Sequence, residues 1–119
     1  NIAANVFTGC PGATNVTFGG AEYIFAKCYV LSSIPSGIYD SFTKPTSMGN
    51  LHLNNYALTS IPSGLFDKTT NVVNFEDAFS GCRQLASIPS GLFNSNSVVK
   101  NFKATFSGCT NLTTIPANL

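Results

Sequence analysis

Charge is what this chain has least of. Lys, Arg, Asp and Glu make up 9% of its 119 residues, against about 25% in a typical soluble domain. Six basic and five acidic residues leave a formal charge of +1, so there is no electrostatic footprint for nucleic acid or for an anionic membrane surface. Long apolar runs are missing as well. The hydrophobic fraction is 44%, yet no run approaches the roughly 20 residues that cross a bilayer, and the chain is not expected to span a membrane. Disorder is disfavoured by 12% aromatic residues and low net charge. There is one histidine, no C-x-x-C pair and no G-G-x-G-x-D motif. Zinc, calcium and nucleophilic chemistry therefore lack their usual groups. No catalytic residue, metal or cofactor is expected. Asn, Ser and Thr take the place of charge, at 38 of the 119 positions.

What is present is a period. Ile-Pro-Ser-Gly begins at Ile34, Ile61 and Ile88, and Ile115-Pro116 continues it, at a spacing of 27 residues. The stretches 61–87 and 88–114 agree at 14 of 27 positions. Other residues keep the same phase: Leu31, Leu58, Leu85 and Leu112; Cys28, Asn55, Cys82 and Cys109; Phe25, His52, Phe79 and Phe106; Tyr39, Phe66 and Phe93. The units run over about 2–33, 34–60, 61–87 and 88–114, with a partial unit at 115–119. The first is longer, through turn-rich Cys10-Pro11-Gly12-Ala13 and Gly19-Gly20-Ala21-Glu22. A unit of this size cannot close a core alone. Stacking units buries each apolar column against its own kind.

The expected fold is a repeat solenoid of about four 27-residue coils, built from short parallel strands, turns and 3₁₀ segments. Leu-x-x-Ile before proline is the strand candidate, at 31–34, 58–61, 85–88 and 112–115. A weaker set lies at 72–75 and 99–102, and Pro45 should spoil its counterpart in the second unit. Pro-Ser-Gly-Leu-Phe suits a single helical turn. Gly81 and Gly108 supply a bend. Asn1 in place of a Met, without a leader, leads to the expectation of a piece of a longer protein.

The run Val72-x-Asn-Phe75-x-x-Ala78-Phe79-Ser-Gly-Cys82-x-x-Leu85-x-x-Ile88-Pro89 resembles the BspA-like leucine-rich repeats of bacterial surface proteins. It is also similar to the repeats of mycoplasma lipoproteins. The resemblance covers nearly the whole chain and is weakest over 1–24. It implies a curved leucine-rich-repeat solenoid with a parallel sheet on one face, exposed at a cell surface and engaged in adhesion or partner binding. The exchange of Cys for Asn in one column resembles that consensus too, in which a small buried polar group satisfies turn backbone. The 27-residue unit is longer than the usual BspA-like one, which leaves curvature and binding face open.

Single residues fit the period better than they fit chemistry. His52 stands in a phenylalanine column and is read as a ladder residue. Same-phase cysteines would point the same way and not toward each other, so free buried thiols are favoured at Cys28, Cys82 and Cys109. Cys10 stands outside that column. Asp40, Asp67 and Asn94 share a phase that suits turn hydrogen bonds. Glu76 and Lys103 are placed for a surface ion pair. Asn15 and Asn111 match the N-glycosylation pattern, which chance also supplies in such a composition.

One set remains for function. Ser32, Ser33, Thr59, Ser60, Ala86, Ser87, Thr113 and Thr114 fall within the Leu-x-x-Ile segments and would form a flat, mostly hydroxyl-bearing ladder. The plain reading is a solvated face. The functional one is a contact surface for a protein or glycan partner on a host or neighbouring cell. The expectation is thus a non-enzymatic, extracellular or surface-exposed binding module of adhesin type. The alternative is a spacer, or a self-assembling segment of a filament or phage tail fibre that associates end to end through uncapped ends.

Overall fold

The structure is a computed structural model that describes residues 23–40, 42 and 44–119. Its ordering principle is a hydrogen-bond register of 26 or 27 residues. The N–H groups of Met48, Asn50, His52 and Asn54 donate to the carbonyls of Asn74, Glu76, Ala78 and Ser80, at 2.7–2.9 Å. Phe75, Asp77, Phe79 and Gly81 donate likewise to Asn101, Lys103, Thr105 and Ser107, at 2.7–3.0 Å. Elsewhere the bonds run backward, from Thr59 to Ser32 and from Ala86 to Thr59, both at 3.2 Å.

The expected strands and helical turns do not form, and the leucine-rich-repeat solenoid built from them is corrected to a turn-built globule. Among the described residues there is no helix, and pairing is confined to two isolated parallel bridges, Ser47 with Asn74 and Asn74 with Asn101. The radius of gyration, 12.9 Å, is close to the roughly 13.5 Å of a globule of this length.

Three features of the sequence account for this. First, Leu31 and Ile34 are both buried with exposed Ser32 and Ser33 between them, and the same holds at 58–61 and 85–88. A strand alternates faces at every residue, so Leu and Ile three apart cannot both point inward from one. Second, Gly37, Gly64 and Gly91 adopt φ of +70° to +75°, a left-handed conformation that ends any right-handed helical turn at Pro-Ser-Gly. Third, left-handed residues recur four apart in one turn of each repeat: Tyr23 and Lys27, Asn50 and Asn54, Asp77 and Gly81, Ala104 and Gly108. The chain curls there and cannot extend. Pro45 makes no special exception, since the bridge of its unit forms two residues later at Ser47.

The core consists of ring stacks along the register. Phe25, His52, Phe79 and Phe106 lie 5.5, 5.3 and 5.6 Å apart between centroids, with planes within 19°. Tyr39, Phe66 and Phe93 follow at 5.8 and 5.7 Å. Phe75 ties the last two of these rings together, tilted at 4.8 Å from Phe66 and 4.9 Å from Phe93. Such pairs contribute about 0.5–1.5 kcal/mol each beyond area burial.

Candidate functional site

The eight positions of the expected contact face are all exposed. They are held from beneath: Leu31, Ile34, Leu58, Ile61, Leu85 and Ile88 are at most 6% exposed. They are held sideways by the bonds Thr59 to Ser32 and Ala86 to Thr59, and the Thr59 hydroxyl also donates to the Ser32 carbonyl at 3.2 Å. The result is a pinned surface of Ser32, Ser33, Thr59, Ser60, Ala86 and Ser87. Thr113 and Thr114 lie beyond it, beside half-buried Leu112 and exposed Ile115.

A second exposed column went unread in the sequence. Tyr29 and Tyr56 stack at 5.1 Å, and the Arg83 guanidinium sits 4.5 Å above the Tyr56 ring. All three share one phase of the 27-residue period, and that phase was the signal available. Arg83 gains a cation–π contact worth about 0.5–1 kcal/mol at an exposed site.

His52 is fully buried between Phe25 and Phe79, the ladder position the period assigns. The sequence did not reveal its partners. Tyr39 Oη lies 2.6 Å from His52 Nε2, and Asn55 Nδ2 lies 3.4 Å from Nδ1. Asn55 Nδ2 also donates to the Phe25 carbonyl at 2.8 Å, which fixes the amide orientation. An amide nitrogen only donates, so Nδ1 carries the lone pair and Nε2–H donates to Tyr39. Burial lowers the His52 pKa to about 3 and raises that of Tyr39 well above its ordinary value. The imidazole is a neutral structural group with no path to a substrate.

The Cys/Asn column has one task. Asn55 Nδ2, Cys82 Sγ and Cys109 Sγ each donate to a carbonyl 30 residues back, on Phe25, His52 and Phe79. Cys82 and Cys109 are free and buried. The hydrogen bond with Cys109, together with burial, pushes the Cys82 thiol up. Cys28 corrects the expectation of a free thiol, for it is disulfide-bonded. Cys10, Asn15 and Glu22 lie outside the described residues.

The remaining groups are local. Lys103 Nζ meets Glu76 Oε1 at 3.5 Å, an exposed pair contributing at most about 1 kcal/mol. Asp67 Oδ1 accepts from Ser95 Oγ at 3.3 Å. Among the described residues no group of His, Cys, Asp and Glu could hold a metal, and no helix is long and apolar enough to cross a membrane. No protein-family model matches the chain, and no curated protein is significantly similar to it.

Proposed function

We propose that the chain is a non-enzymatic binding module, displayed outside the cell or at its surface, that engages a protein or glycan partner. The observation behind this reading is the exposed hydroxyl face of Ser32, Ser33, Thr59, Ser60 and Ser87, backed by buried Leu and Ile and tied across by the backbone bonds Thr59 to Ser32 and Ala86 to Thr59. Hydroxyls carried on a backbone held in place lose less freedom on binding, and both peptide groups and sugar hydroxyls pair with them. The Cys28 disulfide supports the location, because such bonds persist in oxidising compartments. The buried, engaged state of His52 supports the absence of catalysis.

The test is a screen of the chain against immobilised glycans and cell-surface proteins, repeated with Thr59→Arg and Ser87→Arg. A ligand of this face should lose about tenfold or more in affinity with either variant, while the thermal midpoint stays put. Full retention of binding by both variants would move the site elsewhere. No ligand from either class would sink the proposal.

A further inference from the structure

Tyr29, Tyr56 and Arg83 project from a fixed base. Leu31, Leu58 and Leu85 each donate an N–H to the carbonyl three residues earlier, at 3.1 Å, and so close a tight turn. Tyr29, Tyr56 and Arg83 are the first corner residues of these turns. The turns are anchored from behind, since Asn55 Nδ2 and Cys82 Sγ donate to the carbonyls of Phe25 and His52 in the unit before. The corner side chains then stack along the register. Tyr29 and Tyr56 lie 5.1 Å apart with planes 19° apart, and the Arg83 guanidinium lies 4.5 Å from the Tyr56 centroid. Both neighbours of Arg83 in this phase are described, Tyr56 before it and Thr110 after it, and Arg83 is exposed between them.

The stack leaves the donors of Arg83 idle. Tyr56 engages the face of the guanidinium, whereas its N–H donors lie in the plane. Among the described residues none of them has a hydrogen-bond or ion-pair partner. Stacking holds that plane in place, so the fork is oriented before a ligand arrives. No Asp or Glu occurs at 29–33, 56–60 or 83–87, and Arg83 is the one charged residue in these three segments. In each segment a single buried leucine separates the two turn corners from the next two exposed positions, those of the hydroxyl row. The face therefore carries one oriented, unpaired cation beside a row of neutral hydroxyls, with nothing in it to repel an anion.

We propose that this face takes a carboxylated glycan, a chain of uronic-acid sugars, with Arg83 as its anion-binding residue. The inference rests on the reading of the hydroxyl row as a binding surface and names the ligand class. A carboxylate pairs in the guanidinium plane through two parallel N–H···O bonds. Sugar hydroxyls pair with the Ser and Thr hydroxyls of the row. Tyr29, 51% exposed, offers its ring to the apolar C–H side of a sugar. Charge complementarity alone would also admit an acidic peptide. An extended peptide, however, is captured largely through main-chain pairing, and the N–H groups of Thr59 and Ala86 are already spent on the Ser32 and Thr59 carbonyls. Side-chain hydroxyls are what the row has left to offer, and a sugar acid carries their partners together with the carboxylate.

The probe is a short oligogalacturonate, titrated into the whole chain by calorimetry at low salt, with its methyl-esterified form for comparison. Esterification keeps the rings and hydroxyls and removes the negative charge. Saturable binding of the acid is expected, about tenfold tighter than that of the ester and weakening as salt rises. Arg83→Ala should abolish the preference. Arg83→Lys should restore only part of it, because lysine keeps the charge and loses the planar fork. Tyr29→Ala should weaken acid and ester alike. The thermal midpoints of the Arg83 variants should stay put, since that side chain is exposed. Equal binding of acid and ester, or a preference that survives Arg83→Ala, would overturn the proposal and leave the hydroxyl row as a binding surface for neutral ligands. Tighter binding of an oligoglutamate peptide would overturn it in favour of an acidic protein partner. Binding of neither sugar would overturn it too, and the screen with Thr59→Arg and Ser87→Arg then judges the hydroxyl row separately.

Discussion

The stretches 34–60 and 61–87 fill the same positions with different chemistry. In the first, the ring columns hold Tyr39 and His52 and the cap column holds Asn55. In the second they hold Phe66, Phe79 and Cys82. The packing barely registers the change: Tyr39–His52 and Phe66–Phe79 both lie 6.1 Å apart at 61–62°. Polar groups in the first stretch are linked in one chain, from Tyr39 to His52 to Asn55 to the Phe25 carbonyl, and among the described residues only the Asn55 side-chain oxygen of that chain is left without a partner. The second stretch needs no such chain, because phenyl rings leave nothing to satisfy. Geometry in this core is thus set by the register, and the chemistry within it varies where polar groups find hydrogen-bond partners.

Acid should separate the two stretches most strongly. His52 titrates near 6.5 when unfolded and near 3 when folded. Between those values the unfolded chain binds a proton that the folded chain does not, so stability rises with pH. The contribution is complete above about 6.5, falls by about 1.4 kcal/mol per pH unit below it, and levels off near 3. Urea midpoints taken from about pH 7 to pH 4 should follow that slope, and they should flatten in the double variant Tyr39→Phe, His52→Phe. The same slope in that variant would assign the acid sensitivity to carboxylates.

The left-handed turn differs next. Gly81 stands where the first stretch has Asn54, and their φ values are +77° and +60°. A Cβ on Gly81 would fall 2.1 Å from Asn54 Oδ1. Gly81→Ala should cost about 2 kcal/mol, part from the left-handed backbone and part from displacing Asn54. Gly108→Ala meets nothing closer than 3.5 Å and should cost about 1 kcal/mol. Equal losses in chemical denaturation would mean that Asn54 swings aside freely.

The buried pair itself is open to a double-mutant cycle. Tyr39→Phe leaves His52 Nε2–H without an acceptor, and His52→Phe leaves the Tyr39 hydroxyl and Asn55 without their partner. Each single change should cost about 1–3 kcal/mol. The double change should cost less than their sum by about 1 kcal/mol or more, since it recreates the arrangement of Phe66 and Phe79. Strict additivity would show that the two residues act independently.

Much of this comparison was legible beforehand. Which residues share a column, that His52 lies in a ring ladder and that Asn55 replaces cysteine all followed from phase. Secondary structure did not follow, because Leu-x-x-Ile reads as a strand until its two exposed residues are seen to sit between two buried ones. Nor did the left-handed turns, since Tyr23, Lys27 and Ala104 carry no sequence signal for positive φ. The Tyr39–His52 contact joins residues 13 apart in two different columns, and a period aligns only residues within one. The exposed hydroxyl row was legible as a set of residues in one phase, and its exposure follows from the buried Leu and Ile on either side of it.

The left-handed turns also give the smallest effect and the finest contrast. Asn50 and Asp77 occupy one phase with φ of +56° and +55°. Asparagine enters the left-handed region more readily than most residues, and aspartate shares some of that tolerance. Glycine at either position removes the Cβ clash, against a gain in unfolded-chain freedom that limits the benefit. Asp77→Gly should therefore stabilise by about 0.5 kcal/mol, and Asn50→Gly by less, in urea midpoints at neutral pH. Ala104, at φ +54° with no polar side chain to help, should gain more than Asp77 from the same change. If Ala104→Gly gains nothing, the curl at these turns is held without strain, and the register alone sets the backbone there.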